Sequence, residues 1–410
     1  MIGGRFSSLT VVWEKREYRA FLFIMVLTSL GTSSSAPLIS LYLVNHLHVA
    51  LSLVGLFFAS QALPGFVLGL LIGRWSDGWR SRLPAIRVAA LWVGLGWLIF
   101  AFSPVRWLAL AVGAVFLSAG AAIMGQVFAA LHDVMTRDRE AHPGLINTTV
   151  RTGWSFGFVF GPLLGSGLAA LVSFRAAFVA TACLYLLCLA PLRGLDVSVR
   201  SSAGQGETAD DGPRRNLLLF LFTGLCALVL CGTAIKNTYL PIDVTAHLGG
   251  SVSVYGTIVA VSPVVELVVM PLSGVLALRF PIGRLIALGL VIATVEYLLL
   301  SASSALWQLY ATQAMDAWVV AVVMGLGLTY AQQLSPDRPG LVSGMFGSSF
   351  GVAIVVGNII GSAGVPLLGV PHVFLISTAL CAASLATFLG IDRASHRRMQ
   401  HEVSLESATG

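Results

Sequence analysis

Charge is scarce in this chain. Asp, Glu, Lys and Arg together make up only 10% of its 410 residues, against about 25% in a soluble globular chain. That shortfall excludes a water-soluble enzyme and a nucleic-acid-binding domain. Lysine is almost missing: of 24 basic residues only Lys15 and Lys236 are Lys. Cysteine is sparse and unpatterned. Cys183, Cys188, Cys226, Cys231 and Cys381 all fall within apolar runs, with no C-x-x-C pair and no histidine at ligand spacing, so they read as small core residues and not as a disulfide framework or metal site. No nucleotide, metal or nucleophile motif is present, and no cofactor or catalytic role is expected. No A-x-A-like cleavage site follows the first apolar run, which reads as a retained span.

Hydrophobicity is abundant. Apolar residues make up 57% of the chain and mean hydropathy is +0.88. Crossing a bilayer takes about 20 apolar residues. Twelve runs meet that length: 19–45, 52–73, 85–103, 107–131, 145–171, 174–193, 216–245, 252–278, 285–303, 307–333, 341–368 and 371–391. The expected fold class is therefore an all-α membrane protein of twelve transmembrane helices. Pro37, Pro64, Pro162, Pro241, Pro263, Pro271 and Pro366 lie in or near these runs, and a bundle in lipid tolerates such breaks.

Basic residues test the topology. With the N-terminus inside, the inner segments hold all basic residues but four; Arg106 and Arg175 lie in outer loops, and Arg151 and Lys236 lie within spans. This asymmetry predicts that both termini are cytoplasmic. The polar stretch 195–215 reads as a flexible linker between a six-helix bundle at 1–194 and another at 216–391, with a polar tail at 392–410.

The halves repeat. At an offset of 201, Gly31-Thr32 matches Gly232-Thr233, His46-Leu47 matches His247-Leu248, Gly55 matches Gly256 and Gly73 matches Gly274. At an offset of 196, Gly144-Leu145 matches Gly340-Leu341, Gly161 matches Gly357 and Gly165-Ser166 matches Gly361-Ser362. Duplicated halves of this kind build transporters, with substrate bound between them near the bilayer midplane.

Span 5 spaces Gly153, Gly157, Gly161 and Gly165 four apart, with Pro162 after the third. One helix face is thus almost bare backbone, and another helix can approach closely. Static packing and a sliding surface between the halves are both open readings. The loop after span 2 runs from Gly73 through Asp77 to Arg80 and Arg82. There the carboxylate can cap a helix or pair with Arg, closing the inner side. In the second half Leu278 stands in place of Asp77.

These features resemble the major facilitator superfamily: twelve spans in two pseudo-symmetric six-helix bundles, a G-x-x-x-D-x-x-R-x-R loop after span 2 and a G-x-x-x-G-P-x-x-G span 5. The span 5 pattern is similar to that of its antiporters, ending Gly165-Ser166 where a second Gly is usual. Within the superfamily the chain most resembles the sugar efflux transporter family. The likeness lies in the Glu266 stretch of span 8, in 330–345, and in Val150-Arg151 leading to Ser155 and Gly161-Pro162. The resemblance implies alternating-access export of sugars or glycosides, or of drugs, from a monomer in the cell membrane. Proton antiport is implied with it. Many proton-coupled drug antiporters carry an Arg in span 4, and 107–131 has no charge at all.

Ionisable residues within spans are costly and are functional candidates. Glu266 in span 8 and Asp316 in span 10 are the proton-coupling candidates; Glu296 in span 9 ranks lower, because that helix is peripheral in the resembled family. Structural pairing of Lys236 with Glu266 or Asp243 is the rival reading, as is pairing of Arg151 with Asp133. Amides and aromatics suit sugar hydroxyls and apolar sugar faces. The candidate binding set is Gln61, Gln126, Arg151, Trp154, Asn237, Tyr239, Gln313, Trp318, Tyr330 and Asn358. The gating set is Gly73, Asp77, Arg80, Arg82, Gly157, Gly161, Pro162 and Gly165. Expected partners are a small-molecule substrate, protons and the lipid bilayer, with no nucleic acid. A multidrug exporter and a membrane sensor are the rival functions.

Overall fold

The computed structural model describes residues 13–76, 81–103, 105–138, 143–195, 213–335 and 339–390. Twelve helices follow in order among them: α1 (Arg16–Asn45), α2 (Leu51–Ser76), α3 (Leu83–Ala101), α4 (Arg106–Arg137), α5 (Pro143–Leu171), α6 (Phe174–Leu187), α7 (Pro213–Ile242), α8 (Val252–Ala277), α9 (Ile282–Ser301), α10 (Leu306–Leu334), α11 (Pro339–Leu368) and α12 (Phe374–Gly390). Ten contain stretches long and apolar enough to cross a membrane; α6 and α12 are shorter apolar helices. Each helix occupies one of the twelve apolar runs. Large apolar side chains stand exposed on the helices, among them Val88, Phe156, Phe220, Val268 and Leu298, as lipid-facing surfaces require.

Two helices are broken in the same part of their length. A 3-10 turn at Leu117–Ala119 interrupts α4, and a π turn at Val320–Leu326 interrupts α10. At the α4 turn α2 approaches closely: a Cβ on Gly65 would stand 2.9 Å from the Ser118 carbonyl oxygen. A second π turn, Asp243–His247, ends α7.

The chain divides into two compact units. The first comprises α1–α6 together with Pro241–Pro263; the second comprises α7 as far as Leu240 and the helices from Val264 onward.

The first unit closes on an aromatic knot of Tyr42, Trp97, Phe100 and Phe178, with Tyr18, Phe21, Ile24 and Phe57 fully buried around it. Its α1 and α5 meet along the glycine stripe. Added Cβ atoms would overlap Ser29 at Gly157, Ser33 at Gly161 and the Ser34 backbone at Gly165. That closeness lets Ser33 Oγ donate to the Gly157 carbonyl at 2.8 Å and Ser29 Oγ to that of Gly153 at 3.3 Å. The stripe, for which static packing and a sliding surface are both open readings, thus packs against α1 of its own unit. Gly256 of α8 packs beside it, against Ser166 and the Pro162 carbonyl.

The second unit uses the same device between α7 and α11. A Cβ on Gly357 would stand 2.5 Å from the Cys231 carbonyl oxygen, and one on Gly361 would stand 3.0 Å from the Tyr239 ring. Phe222, Tyr330 and Phe388 form its aromatic cluster, with centroids 4.9–6.1 Å apart.

Candidate functional site

The second unit buries a charged cluster. Lys236 of α7 places its Nζ 2.9 Å from Glu296 Oε1 on α9 and 2.5 Å from Asp316 Oδ1 on α10. The Lys236 and Glu296 side chains are 1% and 0% exposed, that of Asp316 12%. The Lys236 ammonium also lies 5.7 Å from the centre of the Tyr297 ring, whose hydroxyl contacts Thr233 at 3.2 Å. Burying such charges costs several kcal/mol per ion unless they are mutually compensated. One ammonium faces two carboxylates here, so the fully ionised cluster carries one excess negative charge.

This pairing corrects both sequence-based alternatives for Lys236. Asp243 instead faces His247, 3.1 Å away within its own π turn, and Glu266 is half-buried on α8. Glu296, ranked low because of its helix, is the fully buried partner. A signal for this was present: a lysine deep in a span needs a counter-charge, and few carboxylates lie in spans.

Polar atoms without partners surround the same region of sequence. On α10, the buried Gln313 Nε2 and Trp318 Nε1 make no hydrogen bond, and Glu296 Oε2 makes none either. Gln313 and Asp316 are one turn apart and so share a face of α10. Asn237, beside Lys236, is exposed. Other members of the proposed binding set are engaged in packing. Asn358 accepts a hydrogen bond from Thr238 at 2.6 Å and donates to the Ile354 carbonyl. Tyr239 is buried against Gly361, and Tyr330 lies in the aromatic cluster.

In the first unit, Gln126 Nε2 donates to Ser76 Oγ at 3.1 Å, and Arg82 Nη1 donates to the same oxygen at 2.6 Å. Arg82 Nε also binds Asp133 Oδ2 at 2.8 Å. Gln126 and Asp133, seven residues apart on α4, thus tie that helix to the α2–α3 connection. Asp133 is consequently Arg82's partner and not Arg151's. Arg151 is exposed on α5 and Trp154 is half-buried, its ring 5.4 Å from that of Phe158. Gln61 Oε1 and Gln126 Oε1 are buried without partners. Asp77 and Arg80 lie outside the described residues; Gly73 is part of α2.

At the end of α4 a smaller network fastens the first unit. Asp138 binds Lys15 at 3.1 Å and Arg137 at 2.8 Å, and Arg137 reaches Glu17 at 3.4 Å. Burial works to raise the Asp138 carboxyl, but hydrogen bonds from Arg137 and Lys15 outweigh it and hold the group below the ordinary aspartate value.

Comparison with known proteins gives a consistent picture. The Major Facilitator Superfamily model matches residues 21–235 and again 221–405. The chain is 28% identical to a Deinococcus radiodurans protein named for sugar efflux, over 90% of this chain and 96% of that one. It is 26% identical to sugar efflux transporter A of Dickeya chrysanthemi, over 83% and 87% respectively. Among solved structures, that of the nucleoside transporter NupG is similar at a TM-score of 0.76 and 13% identity, covering 92% of this chain and 99% of that one; this likeness bears on the fold alone.

Proposed function

The chain belongs to the Major Facilitator Superfamily, and from that premise we propose that it exports small sugars or glycosides by alternating access, with protons as the coupling ion. It is a multi-pass membrane protein, and we assign it to the cell membrane with both termini cytoplasmic, on the asymmetry of its arginines. The observation that carries the sugar reading is its end-to-end likeness to proteins named for sugar efflux. The chemistry agrees with that reading. Gln61, Gln126 and Gln313 offer buried amide atoms without partners, and a sugar hydroxyl both donates to and accepts from such groups. Trp154 and Trp318 supply aromatic planes.

Export against a gradient needs a group that binds a proton on one side and releases it on the other. Asp316 fits that role. Protonating it neutralises the cluster around Lys236 and frees the ammonium from one of its two partners. Glu266, half-buried on α8, is the second coupling candidate. Arg82, with Asp77, Arg80 and Gly73, is assigned to the inner gate, and the glycines of α5 to close helix packing during the cycle. The working unit is a monomer.

The test is transport in proteoliposomes under an imposed pH gradient, with a panel of radiolabelled sugars and a cationic dye, for wild type and Glu266→Gln. Gradient-driven movement of a sugar by wild type supports export of sugars, and its loss in Glu266→Gln assigns coupling to that residue as well. Dye movement without sugar movement favours the multidrug reading. Transport that ignores the gradient contradicts proton coupling.

A further inference from the structure

We propose that Glu296 is a positioning residue for coupling: it holds Lys236 as a neutral pair while Asp316 takes up and releases the proton. The inference rests on the proton-coupled reading above and adds to it a residue on a helix that sequence reasoning ranked low.

The geometry separates two carboxylates that share one ammonium. Glu296 is wholly enclosed, with Oε1 on Lys236 and Oε2 without a partner. Asp316 is the most exposed of the three, with 12% of its side chain accessible against 1% for Lys236 and none for Glu296, so it is the member best placed to exchange a proton with water. The charges acting on Lys236 are those of Asp316 and Glu296. Among the described residues, the titratable groups that also act on the cluster include the Tyr297 phenol of α9 and the Cys381 thiol of α12, with the Cys231 thiol of α7 beside Cys381. Ordinary phenols and thiols are uncharged at neutral pH. The charge count is therefore set by Lys236, Glu296 and Asp316.

Counting that charge gives Glu296 its role. With Asp316 ionised the cluster holds one net negative charge. A proton from water onto an Asp316 oxygen brings it to zero, the Asp316–Lys236 ion pair is lost, and the Lys236–Glu296 ion pair remains. The neutral state leaves one compensated pair, and the excess charge of the negative state falls on Asp316, the most exposed of the three. If Glu296 were neutral, the count would run from zero to one positive charge, and protonating Asp316 would strand an ammonium in a low-dielectric interior. Glu296 thus sets the pH at which Asp316 exchanges its proton without touching solvent or substrate itself. The π turn at Val320–Leu326 begins one turn after Asp316. Such turns recur at functional sites.

The test uses purified full-length protein and the infrared band of a protonated carboxyl group, followed against pH in wild type, Glu296→Gln, Glu296→Asp and Asp316→Asn. Sugar counterflow, which needs no net proton movement, is measured in parallel. The expected result is a titrating band in wild type, absent in Asp316→Asn. In Glu296→Gln its midpoint moves at least one pH unit toward acid, and Glu296→Asp restores most of the wild-type midpoint. An unmoved midpoint in Glu296→Gln, in protein that retains counterflow, overturns the proposal. If Glu296→Gln does not fold, the double variant Lys236→Met, Glu296→Gln removes the neutral pair and leaves the count running from minus one to zero, so its midpoint should not move toward acid; an acid shift of one pH unit or more there also overturns it. The band is read without transport. Absence of gradient-driven export in wild type with the expected band shifts would sink the transport reading and leave the Glu296 assignment standing.

Discussion

At an offset of 201 the position matching Lys236 is Ser35, whose hydroxyl pairs with Thr181 of α6. Helices α4 and α10 begin at Arg106 and Leu306, and at that offset of 200 the position matching Asp316 is Phe116, stacked on Trp92 at 4.5 Å. Elsewhere the units agree closely. Thr181 Oγ1 approaches the Gly31 carbonyl in one, and Ser377 Oγ, at an offset of 196, donates to the Gly232 carbonyl in the other. Thr32 pairs with Tyr185, and its counterpart Thr233 pairs with Tyr297. The tyrosine, however, comes from α6 in the first unit and from α9 in the second. Cys381 stands where the repeat would put it, close enough to Glu296 to interact with it electrostatically. One scaffold thus carries a self-satisfied hydroxyl network in the first unit and an unbalanced set of buried charges in the second. Close packing is common to both units, while the charged cluster proposed for proton exchange lies in the second.

The largest expected effect breaks that asymmetry. Lys236→Met leaves two carboxylates buried without a cation and should cost about 3–5 kcal/mol, against about 1 kcal/mol for Ser35→Ala, which removes one hydroxyl. Thermal unfolding of purified protein in detergent checks both. Equal losses would mean that the cluster is no more demanding than the hydroxyl network.

The shared seam should respond alike in the two units. Gly161→Val forces a branched side chain onto Ser33 and Gly357→Val forces one into the Cys231 backbone, and each should destabilise by about 1–3 kcal/mol or more. A tolerated valine at either position would show that its seam is not closely packed. A smaller effect tests the exchanged tyrosines. Tyr185→Phe and Tyr297→Phe each remove one hydroxyl contact and should cost about 1 kcal/mol, as read from unfolding temperatures. A much larger cost at Tyr297 would point to the hydroxyl supporting the Lys236 cluster.

The smallest effect belongs to Asp138, at the end of α4. Its folded-state value lies below the ordinary one, so its stabilisation is complete above the unfolded aspartate value, near 4, and is lost as pH falls through the folded value. Being partly exposed, its pairs should contribute no more than about 1 kcal/mol. Asp138→Asn should lower the unfolding temperature slightly at neutral pH and not at all in strong acid; a loss that persists in acid would contradict this origin.

Much of the fold is legible in the sequence because lipid imposes a single strong rule. Runs such as 252–278 and 341–368 became α8 and α11 almost residue for residue. The breaks in α4 and α10 are not legible, since neither Leu117–Ala119 nor Val320–Leu326 contains a proline, and the second is simply the most apolar part of its helix. Partners are equally hidden. The glycine spacing of α5 announces a close approach but not that Ser29 and Ser33 fill it. Sixty residues separate Lys236 from Glu296, and eighty separate it from Asp316; only the tertiary packing selects them over Asp243, seven residues away. Ranking Glu296 by its helix left its pairing with Lys236 out of view, because a side chain on a helix expected to be peripheral can still point into its own bundle.

The most direct test of where proton chemistry resides is transport by Asp316→Asn in proteoliposomes, with sugar counterflow and pH-gradient-driven sugar movement measured on the same preparation. Counterflow that persists while gradient-driven movement disappears is the predicted result. Gradient-driven movement that survives in Asp316→Asn would contradict the assignment and move coupling away from the Lys236 cluster.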